Sequence, residues 1–302
     1  MNRSVVVIGN FDGVHRAHVE VLKRARERAA GRPVVVVTFW PHPIHVLRPD
    51  VAPKLLTSLD DRIELLKEAG ASEVRVVQFN RDVSTWTPDE FVSRVVLPLR
   101  PLLVVVGEDF RFGVRASGTV AHLRELGAAQ SPGHEFEVEC VSLVRVGEAK
   151  AGSTSIRTAL DAGDVEAAAT QLGRPFRVRG VVVMGDQRGR ELGFPTANLP
   201  VPPEMAVPAD GVYAGWLRRV DRPYEVMPAA ISVGTNPTFD GVERRVESYV
   251  LDRDDLELYG VTIVVDFVAR LRGQVKYEGI GPLVTQMHRD VATTRVALGL
   301  ES

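Results

Sequence analysis

The feature that most constrains this chain is a change of hydrophobic rhythm near residue 173. Ahead of it, residues 5–8, 34–39, 74–79, 102–106 and 136–146 read as strands. The first four are near-continuous apolar runs, as expected of a sheet covered on both faces. Helix patterns lie between them. Ser58 with Asp61 starts one, and Thr87, Pro88 and Glu90 supply an N-cap, a first-turn proline and a capping-box acid for another. Strands alternating with helices imply right-handed parallel crossovers, hence a doubly wound parallel α/β (Rossmann-like) layer. Two short helix patterns, 155–160 and 165–172, lead to Gly173-Arg174-Pro175, where glycine and proline punctuate the chain. Beyond it, strands at 177–183, 211–220, 226–233, 245–251 and 261–271 follow at short spacing. Turn-rich segments such as 199–203 and 234–237 separate them. This pattern predicts an antiparallel β-barrel closed by one helix over 280–297. The expected domains are 1–173 and 174–302.

A length of 302 residues fits two domains, each able to bury a core. The chain has 37 Lys plus Arg against 39 Asp plus Glu, a formal net charge of −2. No global positive field would draw it to nucleic acid or an anionic membrane, so any phosphate must be held locally. Cys140 is the one cysteine, which excludes an internal disulfide or a multi-cysteine zinc site and suits a reducing compartment. The apolar run 5–8 is too short for a signal-peptide core and no stretch approaches a membrane span, so a soluble cytoplasmic protein is expected.

After the first strand comes Gly9-Asn10-Phe11-Asp12-Gly13-Val14-His15-Arg16-Ala17-His18 and then a helix pattern. Strand, glycine-containing loop and helix start form an anion site, where backbone N–H groups and the helix dipole favour phosphate. His15 and His18, three apart, would share one face and could stabilise charge on a departing pyrophosphate. Two surface histidines would give the same short pattern. Further on, Ser153 and Thr154 precede a helix pattern, with Arg157 one turn later. They can cap that helix or hold phosphate oxygens.

The second half carries a run from Gly185 to Asn198 with glycines at 185, 189 and 193, a loop able to flex over a nucleotide. It lacks the Gly-Lys-Ser/Thr of a P-loop. The Thr196 hydroxyl and Asn198 amide are hard oxygen donors suited to Mg2+ carrying a triphosphate. In Val246-Glu247-Ser248-Tyr249-Val250-Leu251, strand alternation sends Glu247, Tyr249 and Leu251 to one face. Glu247 would sit there among apolar neighbours as a proton acceptor.

Gly-Asn-Phe-Asp-Gly-Val-His-x-x-His resembles the His-x-Gly-His nucleotidyltransferases, specifically the bacterial bifunctional riboflavin kinase/FMN adenylyltransferase family, also called FAD synthetases. The resemblance runs through residues 38–43, 106–113 and 153–157, then the Gly-Phe-Pro-Thr-Ala-Asn segment ending at Asn198, the Pro208 to Tyr213 run, the 234–239 turn and the Val-Glu run at 246. It implies that ATP phosphates meet Gly9, Asn10, Phe11, Asp12, Ser153, Thr154 and Arg157 in the first half. In the second they meet Gly185, Gly193, Thr196 and Asn198. It further implies that Asp109, Phe110, Arg111 and Phe112 wall the flavin, that Thr196 and Asn198 hold Mg2+ with ATP, and that Glu247 is the kinase base. Riboflavin, FMN and ATP are the implied small-molecule partners, with FMN and FAD as products. A homo-oligomer is compatible with the sequence. Ala17, Thr119 and Gly152 depart from the family pattern, and Tyr249 replaces its usual histidine. Two alternatives follow: a riboflavin kinase with a degenerate front half, or a divergent relative acting on a flavin analogue.

Overall fold

The computed structural model describes residues 3–142, 145–146, 149–150, 152–185, 189, 192–238 and 241–300. The chain divides into two compact units, Met1–Gly152 and Ser153–Ser302, each described below by itself.

In the first unit, β1 (Ser4–Ile8) leads to α1 (Arg16–Ala29), β2 (Val34–Trp40), α2 (Pro43–Leu47), α3 (Leu59–Glu68) and β3 (Glu73–Gln78). After these come α4 (Pro88–Phe91), β4 (Pro101–Gly107), α5 (Val120–Ala128), β5 (Glu137–Val141) and a small hairpin of β6 (Arg145–Val146) and β7 (Ala149–Lys150). The five long strands form one parallel sheet in the order β3-β2-β1-β4-β5. Val5, Val7, Val34, Val36, Leu103 and Val105 join one core. Val6, Ile8, Val37, Phe39, Val104 and Val106 join the other. Alternate residues of the same strands thus enter separate cores, which is the doubly wound layer expected from the apolar runs. Two details differ from expectation. β3 is largely exposed because it is an edge strand, and the last predicted strand ends at Val141, with residues 143–144 outside those described. The caps follow the sequence: Ser58 accepts from the Asp61 N–H, and Thr87 and Glu90 form a reciprocal capping box.

The second unit opens with α6 (Ser153–Ala162) and α7 (Val165–Leu172), the latter ended by Gly173 at φ 80°. Six strands follow: β8 (Phe176–Val181), β9 (Thr196–Pro200), β10 (Gly211–Arg219), β11 (Val226–Thr238), β12 (Gly241–Val250) and β13 (Thr262–Arg272). They are antiparallel in the order β8-β13-β10-β11-β12-β9, and a bridge from Val183 to Asn198 brings the end of the β8 segment onto β9. The sheet therefore curls toward closure, as barrels do to remove their edges. Tyr213, Leu217, Ile231, Ile263 and Phe267 are fully buried. A last helix, α8 (Ile280–Ala297), packs on β10, β11 and β13. There the Arg272 guanidinium donates to both Asp290 carboxylate oxygens at 2.9 and 2.6 Å.

Two sequence expectations are corrected here. Leu199 and Pro200, read as part of a turn-rich segment, instead end the strand Thr196–Pro200, because long-range pairing with β12 outweighs local preference. Residues 234–237 lie within β11 rather than in a turn, Asn236 pairing with Glu243.

Candidate active sites

The first site lies where the sheet order reverses. The β1 and β4 strands are neighbours, and the loops at their carboxyl ends stand at the switch point where such sheets bind nucleotides. The β1–α1 loop is tightly coiled, with Phe11, Gly13 and Val14 at φ 53°, 86° and 40°. Non-glycine residues in this region cost free energy and cluster at functional loops. The coil is closed by the Val14 N–H donating to the Phe11 carbonyl. Gly9 is needed for it, since a Cβ there would lie 2.9 Å from the Phe11 ring.

Asp12, expected among the residues that meet ATP phosphates, is instead buried with its carboxylate engaged by protein, and together with Arg62 it anchors the loop from beneath. Asp12 is 3 % exposed and accepts from the backbone N–H groups of Leu56 and Thr57, the Thr57 hydroxyl and the Arg62 guanidinium at 3.2 Å. Arg62 is fully buried and also donates to the carbonyl oxygens of Asn10 and Phe39. Burial pushes its pKa down while Asp12 opposes the shift, and the guanidinium remains a cation. Thr38 donates its hydroxyl to the Asn10 carbonyl. Arg62 and Thr57 were not singled out in the sequence, and Thr38 entered only as the first residue of the 38–43 resemblance.

His15 is the N-cap residue of α1 and His18 lies in its first turn. Their rings stack 3.6 Å apart and 19° from parallel, with Phe11 edge-on to His18 at 5.1 Å. The first turn carries no acidic residue and no side-chain cap, so its N–H groups and positive dipole end can receive an anion. Burial, then the neighbouring His15 and Arg62, hold the His18 pKa well below 6.5. At neutral pH His18 is an uncharged N–H donor, and its Nδ1 has no hydrogen-bond partner among the described residues. Ala17 is 3 % exposed, so its methyl group faces protein.

After β4, Asp109 and Arg111 are exposed, Phe110 is half-buried and Phe112 is buried. The two phenyl rings stack at 5.4 Å, making an apolar platform. Thr119 caps α5, accepting from the His122 N–H at 3.2 Å. Ser153, Thr154 and Arg157 stand in the first turns of α6, in the second unit.

In the second unit, Thr196 pairs with Tyr249 and Asn198 with Glu247 across the β9–β12 ladder. Directly opposed residues share a face, so the ladder brings together Thr196, Asn198, Glu247 and Tyr249. Thr196 and Asn198 line a cavity of about 350 Å³ with Gly185, Ser248, Val250 and Tyr259. Glu247 lines a second, of about 500 Å³, with Ser232, Arg245, Gln274 and Lys276. Its surroundings are thus polar, contrary to the apolar setting expected. Gly185 lies against the Asn198 amide, where a Cβ would approach to 2.6 Å, and that amide donates to the Thr196 carbonyl at 3.2 Å. Phe194 touches Tyr249 and His288 edge-on, each at 5.0 Å, tying the end of the glycine-rich loop to β12 and α8. Gly193 is exposed at φ 84°. Residues 186–188, 190–191 and 239 of the quoted motifs lie outside the described residues. Arg245, Gln274 and Lys276 were not foreseen as site residues; Arg245 stands two positions from Glu247 on β12, whereas Gln274 and Lys276 follow the end of β13 and reach the cavity from far along the chain.

An α/β unit with a helix-start anion site, joined to a barrel with paired carboxylate and oxygen donors, defines a two-part transferase acting at phosphates. Residues 1–155 match the FAD synthetase family model and residues 172–298 the riboflavin kinase model. The chain belongs to the bifunctional riboflavin kinase/FMN adenylyltransferase family. It is 34 % identical to the bifunctional riboflavin kinase/FMN adenylyltransferase of Bacillus subtilis, over 95 % of this chain and 90 % of that one. It is also 34 % identical to that of Escherichia coli, over 98 % and 93 %. A solved Streptococcus pneumoniae structure, described as a macrolide-efflux protein, superposes with a TM-score of 0.85 at 34 % identity, covering 97 % of this chain and 94 % of that one. Among the described residues no helix is long and apolar enough to cross a membrane.

Proposed function

We propose that the chain makes FAD from riboflavin in two ATP-dependent steps. In the C-terminal unit the terminal ribityl hydroxyl of riboflavin attacks the γ-phosphorus of ATP. The bond from that phosphorus to the β-phosphate oxygen breaks, the hydroxyl proton passes to Glu247, and FMN and ADP form. In the N-terminal unit a phosphate oxygen of FMN attacks the α-phosphorus of a second ATP, pyrophosphate leaves, and FAD forms. The observation that carries the kinase reading is the ladder pairing of Glu247 with Asn198, which sets a proton acceptor beside a triphosphate-binding donor. ATP would then occupy the cavity of Thr196 and Asn198, with the ribityl chain entering the cavity of Glu247.

Among the described residues no group of three His, Cys, Asp or Glu side chains could hold a metal ion. Mg2+ would therefore be carried mainly by the triphosphate, with Thr196 and Asn198 as its hard oxygen donors, and would neutralise charge on the phosphates. In the front half His15 and His18 would donate to the departing pyrophosphate, with backbone from Gly9 to Phe11 around it and Asp12 holding that backbone in place. Ser153, Thr154 and Arg157 would hold ATP phosphates, and Asp109 to Phe112 would wall the flavin.

We place the boundary between the catalytic halves at 173/174, on the Gly173-Arg174-Pro175 punctuation and the start of the riboflavin kinase match at residue 172, although the compact units divide at 152/153. We place the protein in the cytoplasm on the lone Cys140. The near-neutral charge argues against a nucleic-acid partner. The departures from the family pattern at Ala17, Thr119 and Gly152 left open a second reading, a kinase whose front half does not turn over. The test is incubation with riboflavin, ATP and Mg2+ followed by separation of FMN and FAD. Accumulation of FAD supports both activities, and accumulation of FMN alone supports the second reading.

A further inference from the structure

The glycine-rich loop ends in a closed turn. The Leu192 and Phe194 N–H groups both donate to the Gly189 carbonyl, at 3.1 and 2.8 Å, and a Cβ at Gly189 would lie 2.5 Å from the Phe194 carbonyl. The end of the loop therefore moves as one piece with Phe194. Among the described residues between 185 and 195 only Phe194 is buried, at 5 %, whereas Gly193 is exposed and Leu192 and Pro195 are half-buried. Its ring is the foot on which the loop stands. Two rings hold that foot, Tyr249 at 5.0 Å and 61° and His288 at 5.0 Å and 69°, the edge-to-face geometry that aromatic pairs prefer. Thr196 begins β9 two residues beyond Phe194, so the seat of the phenyl ring fixes where the strand that carries the Thr196 hydroxyl starts. His288 comes from a fixed part of α8. Asp290, two residues on, is buried and accepts from both the Arg272 guanidinium and the Gln286 amide. The His288 side chain is itself exposed, so its packing serves Phe194 rather than the core.

We propose that His288 is a positioning residue for the kinase reaction: by packing on Phe194 it holds the glycine-rich loop and the Thr196 hydroxyl where Mg2+-ATP meets them. This rests on the reading of Thr196 and Asn198 as the donors for Mg2+ and triphosphate. Time that the loop spends off its seat lowers the apparent affinity for ATP in proportion. His288→Ala should raise KM for ATP in riboflavin phosphorylation roughly 3- to 10-fold, the worth of one edge-to-face ring contact, with KM for riboflavin and kcat at saturating ATP unchanged. The inhibition constant of ADP should rise by the same factor. The melting temperature should stay within about 2 °C of wild type, because the imidazole is exposed. His288→Phe, which keeps a ring, should restore most of the ATP affinity, and His288→Gln, which keeps polarity without a ring, should not. Phe194→Leu should raise KM for ATP by itself, and His288→Ala added to it should raise it little further, since the shared contact is already lost. An unchanged KM for ATP in folded His288→Ala overturns the proposal. So do equal rises in KM for ATP and riboflavin, which would mark a general loosening of the barrel, wild-type behaviour of His288→Gln, and fully additive effects of the two substitutions. An unchanged KM for ATP in Thr196→Ala would instead overturn the underlying reading of the donor site.

Discussion

Glu247 and His18 are both partly enclosed, yet their surroundings prepare them for different work. The carboxylate of Glu247 shares its cavity with Arg245 and Lys276 and with a second carboxylate, Asp210. Glu247→Gln should keep riboflavin binding and lower FMN formation by roughly 10²- to 10⁴-fold, the usual worth of a general base. A single-turnover assay with bound riboflavin checks this, and near-normal phosphorylation would exclude the role. His18 has its pKa held below 6.5 by burial and by two neighbouring groups. The folded state therefore resists a proton that the unfolded state accepts, so stability is full above about 6.5 and falls as pH drops from there toward the folded pKa. The melting temperature should decline from pH 7.5 to 5.5, and His18→Gln should flatten that decline. An identical slope in the variant would show that His18 is not a source of the pH dependence. Residue types and spacings disclosed these two side chains in the sequence. Nothing local disclosed Arg62 or Gln274, which reach their sites through long-range packing.

Among the elements, the coiled β1–α1 loop depends most on a support that is distant in sequence. Three left-handed residues are held there by the Asp12 carboxylate and the Arg62 guanidinium. Removing one member of a buried pair strands the other charge. Asp12→Ala should destabilise the first unit by roughly 3–5 kcal/mol, read by urea denaturation, and should impair adenylylation through loop disorder. A stability loss below 1 kcal/mol would mean that the loop is held otherwise. In the barrel, Gly185→Ala should push the loop off the Asn198 amide and raise KM for ATP in the kinase reaction. An unchanged KM would show that the loop accommodates the added methyl group. Strands with continuous apolar runs and helices with caps were legible in advance. Strand β9 was not, because Leu199 and Pro200 open a turn-rich segment and the strand forms only through its ladder with β12. Composition likewise hid that β11 runs on through Asn236 and Pro237, since both residues usually end strands.

At the scale of the whole molecule, two folds with separate cores occupy one chain, and each carries its own phosphate chemistry. The rhythm change near residue 173 revealed the two architectures, and their motif sets revealed the family. Ala17, which raised the prospect of a silent front half, is buried. Its methyl group is therefore not an obstacle in an open crevice, and Ala17→Gly is expected to leave adenylylation within about threefold of wild type, a cavity effect rather than a gain of function. The central claim is that FMN and FAD are made at independent sites. Product formation should be measured in wild type, Glu247→Gln and His18→Ala, with riboflavin or FMN supplied alongside ATP and Mg2+. The account predicts that Glu247→Gln loses FMN formation but converts supplied FMN to FAD, whereas His18→Ala makes FMN and stops there. Parallel loss of both products in either folded variant would contradict it.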